Sequence, residues 1–331
     1  KLSDYVTLVS GTATIIDSVS PVIMRAELVD HMNPEEVDTL TVTFSEKIDK
    51  ITAKKPFLFY SAREKREYDA TLETLSHNGE VAVFTVLSPD NNMKQISTGD
   101  SVSIYKNGKV FDPVNNLQDN PDNIHREIEI HRILRLKEVI YFDNNADGGI
   151  DSIFAGIFGE YDFTEDDLTT LGDKVKLPVH RRFTIKKVNT LNNGFSFNVS
   201  QNSSVNINTA VTDKDILVFD NDIALADNGT LFKSSLSIVD SVAPVIMHAK
   251  LVDYINPGEE DQLTIAFSEK IDGITSEKPF LFYSVNEKKV YDATLGTLSQ
   301  SGETAVFAVA SLSDDIIRIG SNDSINIYKD G

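Results

Sequence analysis

The sequence predicts an all-β chain assembled from three tandem β-sandwich modules. Three observations carry this. Residues Thr14 to Gly108 and Ser237 to Gly331 align without a gap at an offset of 223 residues, with about 60% of positions identical, so a whole module recurs. Apolar and polar residues alternate along short segments, the period-2 signature of half-buried strands. Turn-rich stretches such as HMNPEEVD, SHNGE and SPDNN recur at short intervals, the spacing expected of a sandwich.

In order along the first copy, Val22–Val29 reads as a strand. Thr39–Ser45 (TLTVTFS) places Leu40, Val42 and Phe44 on one face and threonines on the other. Pro56–Ser61, Glu80–Leu87 and Ser101–Tyr105 are further strands, and Arg126–Leu134 closes the unit. The segment between the copies is too structured for a linker. Glu138–Phe142, Ser152–Phe158, His180–Lys187, Phe195–Val199 and Asp215–Phe219 read as strands, and Glu165–Leu171 as one short helix. Its opening, EVIYFDNNADGGIDSIFAGIFGE, has the plan of AELVDHMNPEEVDTLTVTFSE: strand, acidic loop, Asp, strand.

The expected organisation is therefore A–B–A′: module A over 17–135, a divergent module B over 136–239, and module A′ over 240–331. Residues 1–16 align with the closing strand of module B. They read as the last strand of a preceding module, or as a donor strand that adds head-to-tail to another copy of the chain. Module A′ is expected to lack its final strand, because the segment matching Gly108 to Leu134 falls beyond Gly331.

Composition narrows the function classes. The net charge is −20 and the pI about 4.6, which argues against nucleic acid and anionic lipid as partners. No apolar run approaches the roughly 18 residues of a spanning helix, so membrane insertion is not expected. There is no cysteine, which excludes disulfides and zinc–thiolate sites. There is no tryptophan, although 10 Tyr and 18 Phe leave an aromatic carbohydrate platform open.

Taken together, Asp17, Pro21, Ile23, Asp38, Leu40, Phe44-Ser45-Glu46, Gly99-Asp100, Ile104, Asp112 and Asn116 resemble the bacterial immunoglobulin-like repeat modules of large secreted and surface proteins. Asp240, Pro244, Ile246, Asp261, Leu263, Phe267-Ser268-Glu269, Asp323 and Ile327 repeat the pattern. The resemblance implies immunoglobulin-like sandwiches in an elongated rod and a non-enzymatic structural or adhesive role at the bacterial surface or outside the cell. Spacer, surface-layer or filament subunit are the roles it implies. The alternative is a set of carbohydrate- or ligand-binding accessory modules of a secreted polysaccharide-degrading enzyme. Partners would be neighbouring modules or copies of the chain, or a surface polysaccharide or protein ligand. Function does not follow from a fold-level likeness alone.

Catalytic signals are weak. The six histidines are scattered, and no G-x-S-x-G elbow, P-loop or HExxH is present, so no enzyme activity is expected. One motif points to a cofactor. Asp143, Asn145, Asp147 and Asp151 put oxygen ligands at loop positions 1, 3, 5 and 9, with Gly148 at position 6. That is most of a calcium loop, since a hard cation needs converging oxygens and glycine gives the sharp turn. Position 12, where a bidentate Glu is expected, is Phe154. The competing reading is an Asx-rich turn between strands. Asp30, Asn33, Glu36 and Asp38, with their counterparts Asp253, Asn256, Glu259 and Asp261, read as solvated loops. Asp17 and Asp240 raise a calcium ion at module junctions. The Asp112–Asn123 stretch reads as an ion site or a loop. Glu46-Lys47 and Glu269-Lys270 read as a structural turn or ion pair.

Overall fold

The computed structural model describes residues 16–89, 96, 98–105, 108–116, 125–145, 147, 149–201, 211–252, 254, 261–274, 276, 278–312 and 322–327. The chain is mostly strand, and among the described residues it has one α-helix. It divides into two compact units, residues 1–134 with 227–230, and 135–226 with 231–331. The expected extra strand over residues 1–16 lies outside the described residues, apart from Ile16.

In the first unit the strands are β1 (Ile23–His31), β2 (Thr39–Phe44), β3 (Lys50–Ile51), β4 (Phe57–Ser61), β5 (Arg66–Asn78), β6 (Val81–Pro89), β7 (Ser101–Ile104), β8 (Val110–Phe111) and β9 (Arg126–Leu134). They pair in the order β1-β2-β6-β5-β4-β7-β9, and β9 returns to pair with β1 in parallel. The sheet thus closes on itself, which leaves β1 and β9 no free edge against each other. The alternation expected of β2 is observed: Leu40, Val42 and Phe44 are buried and the threonines half-buried. Phe57 packs edge-on against Phe84 at 5.1 Å between ring centroids, in a core that also holds Phe59, Leu72, Val102 and Ile130.

The 13-residue strand β5 has no counterpart among the sequence expectations. Its register shifts at Thr71/Leu72 and again at Thr74/Ser76. Each bulge moves the inward face by one residue, so a strict period-2 pattern cannot run along it.

The second unit opens with β10 (Leu136–Phe142) and β11 (Ser152–Ile157), followed by α1 (Glu165–Lys174). The helix runs one residue triplet past the expected end. It starts at a reciprocal cap: Thr164 Oγ1 accepts from Asp167 N–H, and Asp167 accepts from Thr164 N–H, which satisfies two otherwise orphaned donors. Leu168 and Leu171 face the core. The strand expected at His180 begins later, because Val179–Arg181 forms a 3₁₀ turn that ends with Arg182 in the left-handed region. Then come β12 (Phe183–Leu191), β13 (Gly194–Gln201), β14 (Ile216–Phe219), β15 (Ile223–Ala224), β16 (Gly229–Leu231), whose first two residues belong to the first unit, β17 (Ser234–Ser237) and β18 (Val239–Asp240). The main sheet is β12-β13-β11-β10-β18. Phe163, Phe195, Phe197 and Phe219 build its core through edge-to-face contacts centred on Phe195, the arrangement the ring quadrupole favours.

The second copy of the repeat supplies β19 (Ile246–Val252), β20 (Asp261–Phe267), β21 (Phe280–Ser284), β22 (Lys289–Ser301), β23 (Thr304–Leu312) and β24 (Ser324–Ile327). Their order, β19-β20-β23-β22-β21-β24, is that of β1-β2-β6-β5-β4-β7. The copies share register to the residue: Leu28 faces Leu40 and Leu251 faces Leu263. Both bulges of β5 recur in β22, at Thr294/Leu295 and Thr297/Ser299. Ile104 is 3% exposed, whereas its counterpart Ile327 is 42% exposed.

Candidate functional site

The Asp143–Asp151 loop joins β10 to β11, as its strand flanks suggest. Its oxygens turn onto the loop's own backbone. Asp143 Oδ1 accepts from Asn145 N–H (3.2 Å) and Asp147 N–H (3.3 Å). Asn145 Oδ1 accepts from Asp147 N–H at 2.9 Å, and Asp147 Oδ1 from Gly149 N–H at 2.7 Å. This is a ladder of Asx turns. A Cβ at Gly149 would sit 2.9 Å from Asp147 Oδ1, so a side chain there would push the Asp147 carboxylate aside. Asp151 Oδ2 reaches back to Asn144 N–H at 3.0 Å. A carboxylate accepting one or two N–H groups keeps lone pairs, so these four residues retain oxygen for a hard cation.

The Asp151 contact recurs at both copies of the repeat. Asp38 Oδ1 accepts from His31 N–H at 2.8 Å and Asp261 Oδ1 from Tyr254 N–H at 2.9 Å, each seven residues apart like Asn144 and Asp151. The loop aspartate therefore closes the first hairpin, and burial is the main reason the Asp38 carboxyl is shifted upward. Asn33 and Glu36 are used locally: Asn33 donates to Glu36, and Glu36 pairs with His31 at 2.8 Å. Asp253, Asn256 and Glu259 lie outside the described residues.

Other residues shared by the two copies also hold the fold. Ser45 Oγ accepts from Val22 N–H and Ser268 Oγ from Val245 N–H, both at 3.1 Å. Asp100 Oδ1 accepts from Ala62 N–H and Asp323 Oδ1 from Val285 N–H, both at 2.9 Å. Asp112, 1% exposed, accepts from the N–H groups of Val114 and Asn116 and from the Asn116 amide. The rest of its stretch, residues 117–124, lies outside the described residues. Asp112 stands beside Asp17 and Glu46, three carboxylates whose oxygens lie within 4.8 Å of one another. The sequence reading weighed each of these residues, but in separate motifs.

One buried polar network had no sequence signal. Asp215, fully buried, accepts from Arg181 Nε at 2.8 Å and Nη2 at 3.0 Å. Tyr141 O–H donates to it at 2.8 Å, and Thr212 donates through both N–H and O–H. Burial pushes the Asp215 carboxyl up, but the guanidinium and the other donors outweigh it and hold the group well below the usual carboxylate range. Burial and the neighbouring carboxylate hold the Tyr141 phenol above its ordinary value. With Tyr141, Arg181 and Asp215 all buried, this cluster is an anchor joining β10, the 3₁₀ turn and the segment that leads into β14.

An open groove of about 600 Å³ runs beside α1, lined by Thr170, Asp173, Lys174, Lys176, Asp220 and Asp222 among others. Lys176 pairs with Asp220, so those charges face each other. On the β1–β9 face, Arg25 bridges Glu27 at 3.0 Å and Glu129 at 2.6 Å, and Arg132 lies 3.9 Å from Asp30. The basic run of β9 thus meets acidic neighbours of its own unit. No described helix is long and apolar enough to cross a membrane.

No family model matches the chain, and no curated protein does. Among solved structures it is similar to the full extracellular region of plexin A4, at 9% identity and a TM-score of 0.22 over 88% of this chain and 31% of that one. Domains 1–6 of the surface layer protein SbsC match at 10% identity and a TM-score of 0.19, over 94% of this chain and 54% of that one. A second structure of that protein matches at 10% identity and 0.17, over 93% and 54%. The chain spans about a third of the plexin ectodomain and about half of the surface-layer chains. Scores this low fall far short of a shared fold.

Proposed function

We propose that this chain is a non-enzymatic structural repeat region of a bacterial extracellular or surface protein. In this reading its immunoglobulin-like modules are strung into an elongated rod. The observation that carries it is how the repeated residues are used. Asp38, Ser45 and Asp100 and their counterparts Asp261, Ser268 and Asp323 each secure a loop or strand crossing. What the repeat preserves is architecture, as expected of a module multiplied for length or surface.

Small-angle scattering of the 331-residue chain tests the rod. A single compact body of this length has a radius of gyration of roughly 20 Å, whereas three modules in a line give about 30 Å. A value near 20 Å overturns the reading. Calcium at Asp143, Asn145, Asp147 and Asp151 belongs to the same proposal, as a cation that stiffens module B. Asp147→Ala is then expected to lower the number of calcium ions bound by one, measured by calorimetric titration. An unchanged number removes the loop from the proposal.

A further inference from the structure

The two copies of the repeat differ at one sheet edge. In the first copy β9 lies between β1 and β7. It runs parallel to β1, from Ala26 opposite Ile128 to His31 opposite Ile133. Its start runs antiparallel to β7, with Val102 opposite Arg126. Ile128 and Ile130 turn inward and are buried. They complete the core in which Ile23, Ala26, Leu28, Val102 and Ile104 are buried too.

In the second copy β19 and β24 take the places of β1 and β7 and again approach each other. Among the described residues no strand pairs with the outer edge of either. The counterpart side chains Ile246, Ala249, Leu251 and Ile325 are only half-buried, and Ile327 is exposed. Four of these five are the same residue in both copies, so the difference lies in what covers them. An edge that offers unpaired backbone groups beside an apolar strip is a template for one more strand.

The outward face sets the charge of the strand that fits. In the first copy Glu27 stands opposite Glu129, and Arg25 holds the two like charges together by bridging both. The positions of Arg25 and Glu27 are His248 and Lys250 in the second copy, and both are exposed. A glutamate at the Glu129 position would face Lys250 directly, and opposite charges across a strand pair are favourable. Residues Thr7–Ile16 carry no carboxylate, so the N-terminal segment of a second copy does not offer this match.

We propose that the β19–β24 edge is a strand-acceptor groove whose occupant is an extended segment of another polypeptide with the chemistry of β9. Isoleucines at alternate positions face inward, and a glutamate between them faces Lys250. The added strand runs parallel to β19, as β9 runs to β1. The inference rests neither on the rod reading nor on the Asp143 loop.

Fluorescence anisotropy of a labelled peptide with the sequence of Arg126–Leu134, REIEIHRIL, titrated with the full chain, tests it. One peptide is expected to bind per chain. The peptide variant Ile128→Ser with Ile130→Ser is expected to lose binding. Lys250→Glu in the chain is expected to weaken binding about three- to tenfold, and the peptide variant Glu129→Lys to restore it. Lys250 is exposed, so its replacement leaves the core intact. Hydrogen exchange locates the added strand: the amides of Ile246–Val252 are expected to slow on binding, and those of Ile23–His31 to stay unchanged. No saturable binding up to about 1 mM peptide overturns the inference. So does slowing at β1 in place of β19, or an unchanged affinity for Lys250→Glu. Self-association of the chain without peptide, with the β19 amides protected, overturns the assigned occupant in favour of a second copy.

Discussion

Replacing Asp215 with alanine is expected to destabilise the second unit by about 3–5 kcal/mol, because the change strands a buried guanidinium without its counter-ion. Arg181 is 5% exposed and donates two hydrogen bonds to that carboxylate. Tyr141 and Thr212 lose their acceptor in the same step. Urea denaturation followed by a probe beside Arg181 reads the loss, and a change below about 1 kcal/mol would refute the anchoring role. Removing both ions gives the opposite contrast. Asp215→Leu with Arg181→Met is expected to recover much of the loss, since a packed apolar pair is often as stable as a buried ion pair.

The same carboxylate sets an acid limit. Its folded pKa lies below the unfolded carboxylate value. Its contribution is therefore fully present above the unfolded pKa and is lost as pH falls from about 5 toward 1. The wild-type chain should lose stability across that window, and Asp215→Asn should flatten the slope there. A parallel slope in the two proteins would rule out Asp215 as its source.

Gly194→Ala is the second large effect, a loss of roughly 3 kcal/mol. Gly194 opens β13 right after the Asn192–Asn193 turn, and it pairs with Leu191 of β12 on one side and Gly156 of β11 on the other. Its φ is +154°, and an added Cβ would lie 2.1 Å from the Ala155 carbonyl oxygen. That neighbour is backbone, so no rotamer change relieves the overlap. Gly302→Ala is the control. Its φ is +59°, beside +61° at its counterpart Gly79, and no atom lies within 4 Å of the added methyl, so backbone strain of about 1–2 kcal/mol is its whole cost. Equal losses at the two positions, measured by denaturation, would refute the steric argument.

Where the sequence could be read, it was because the signal was local. Strand β9 is expected and observed at Arg126–Leu134, since apolar and polar residues alternate cleanly over Arg126–Ile130. The loop-closing aspartates were legible as a pattern, because Asp38, Asp151 and Asp261 stand at one place in three similar segments. Strand β5 was not legible, because two bulges break its period. The Asp215 network was not legible either, because its members come from residues 141, 181 and 212–215, and no local pattern joins them. The Asp17, Glu46 and Asp112 cluster stands between these cases. Each residue drew notice in its own motif, but spacings of 29 and 66 residues carry no geometry.

By itself the sequence determined the repeat, the β character and the core faces of the regular strands. These follow from side-chain periodicity and from identity between copies. Only the tertiary structure decided that β9 returns to β1, that Arg181 neutralises Asp215, and that Asp17, Glu46 and Asp112 come together. Each of these depends on which distant segments the closed sheets bring side by side. Charge, burial and hydrogen bonding act over a few ångströms in space and are indifferent to separation along the chain.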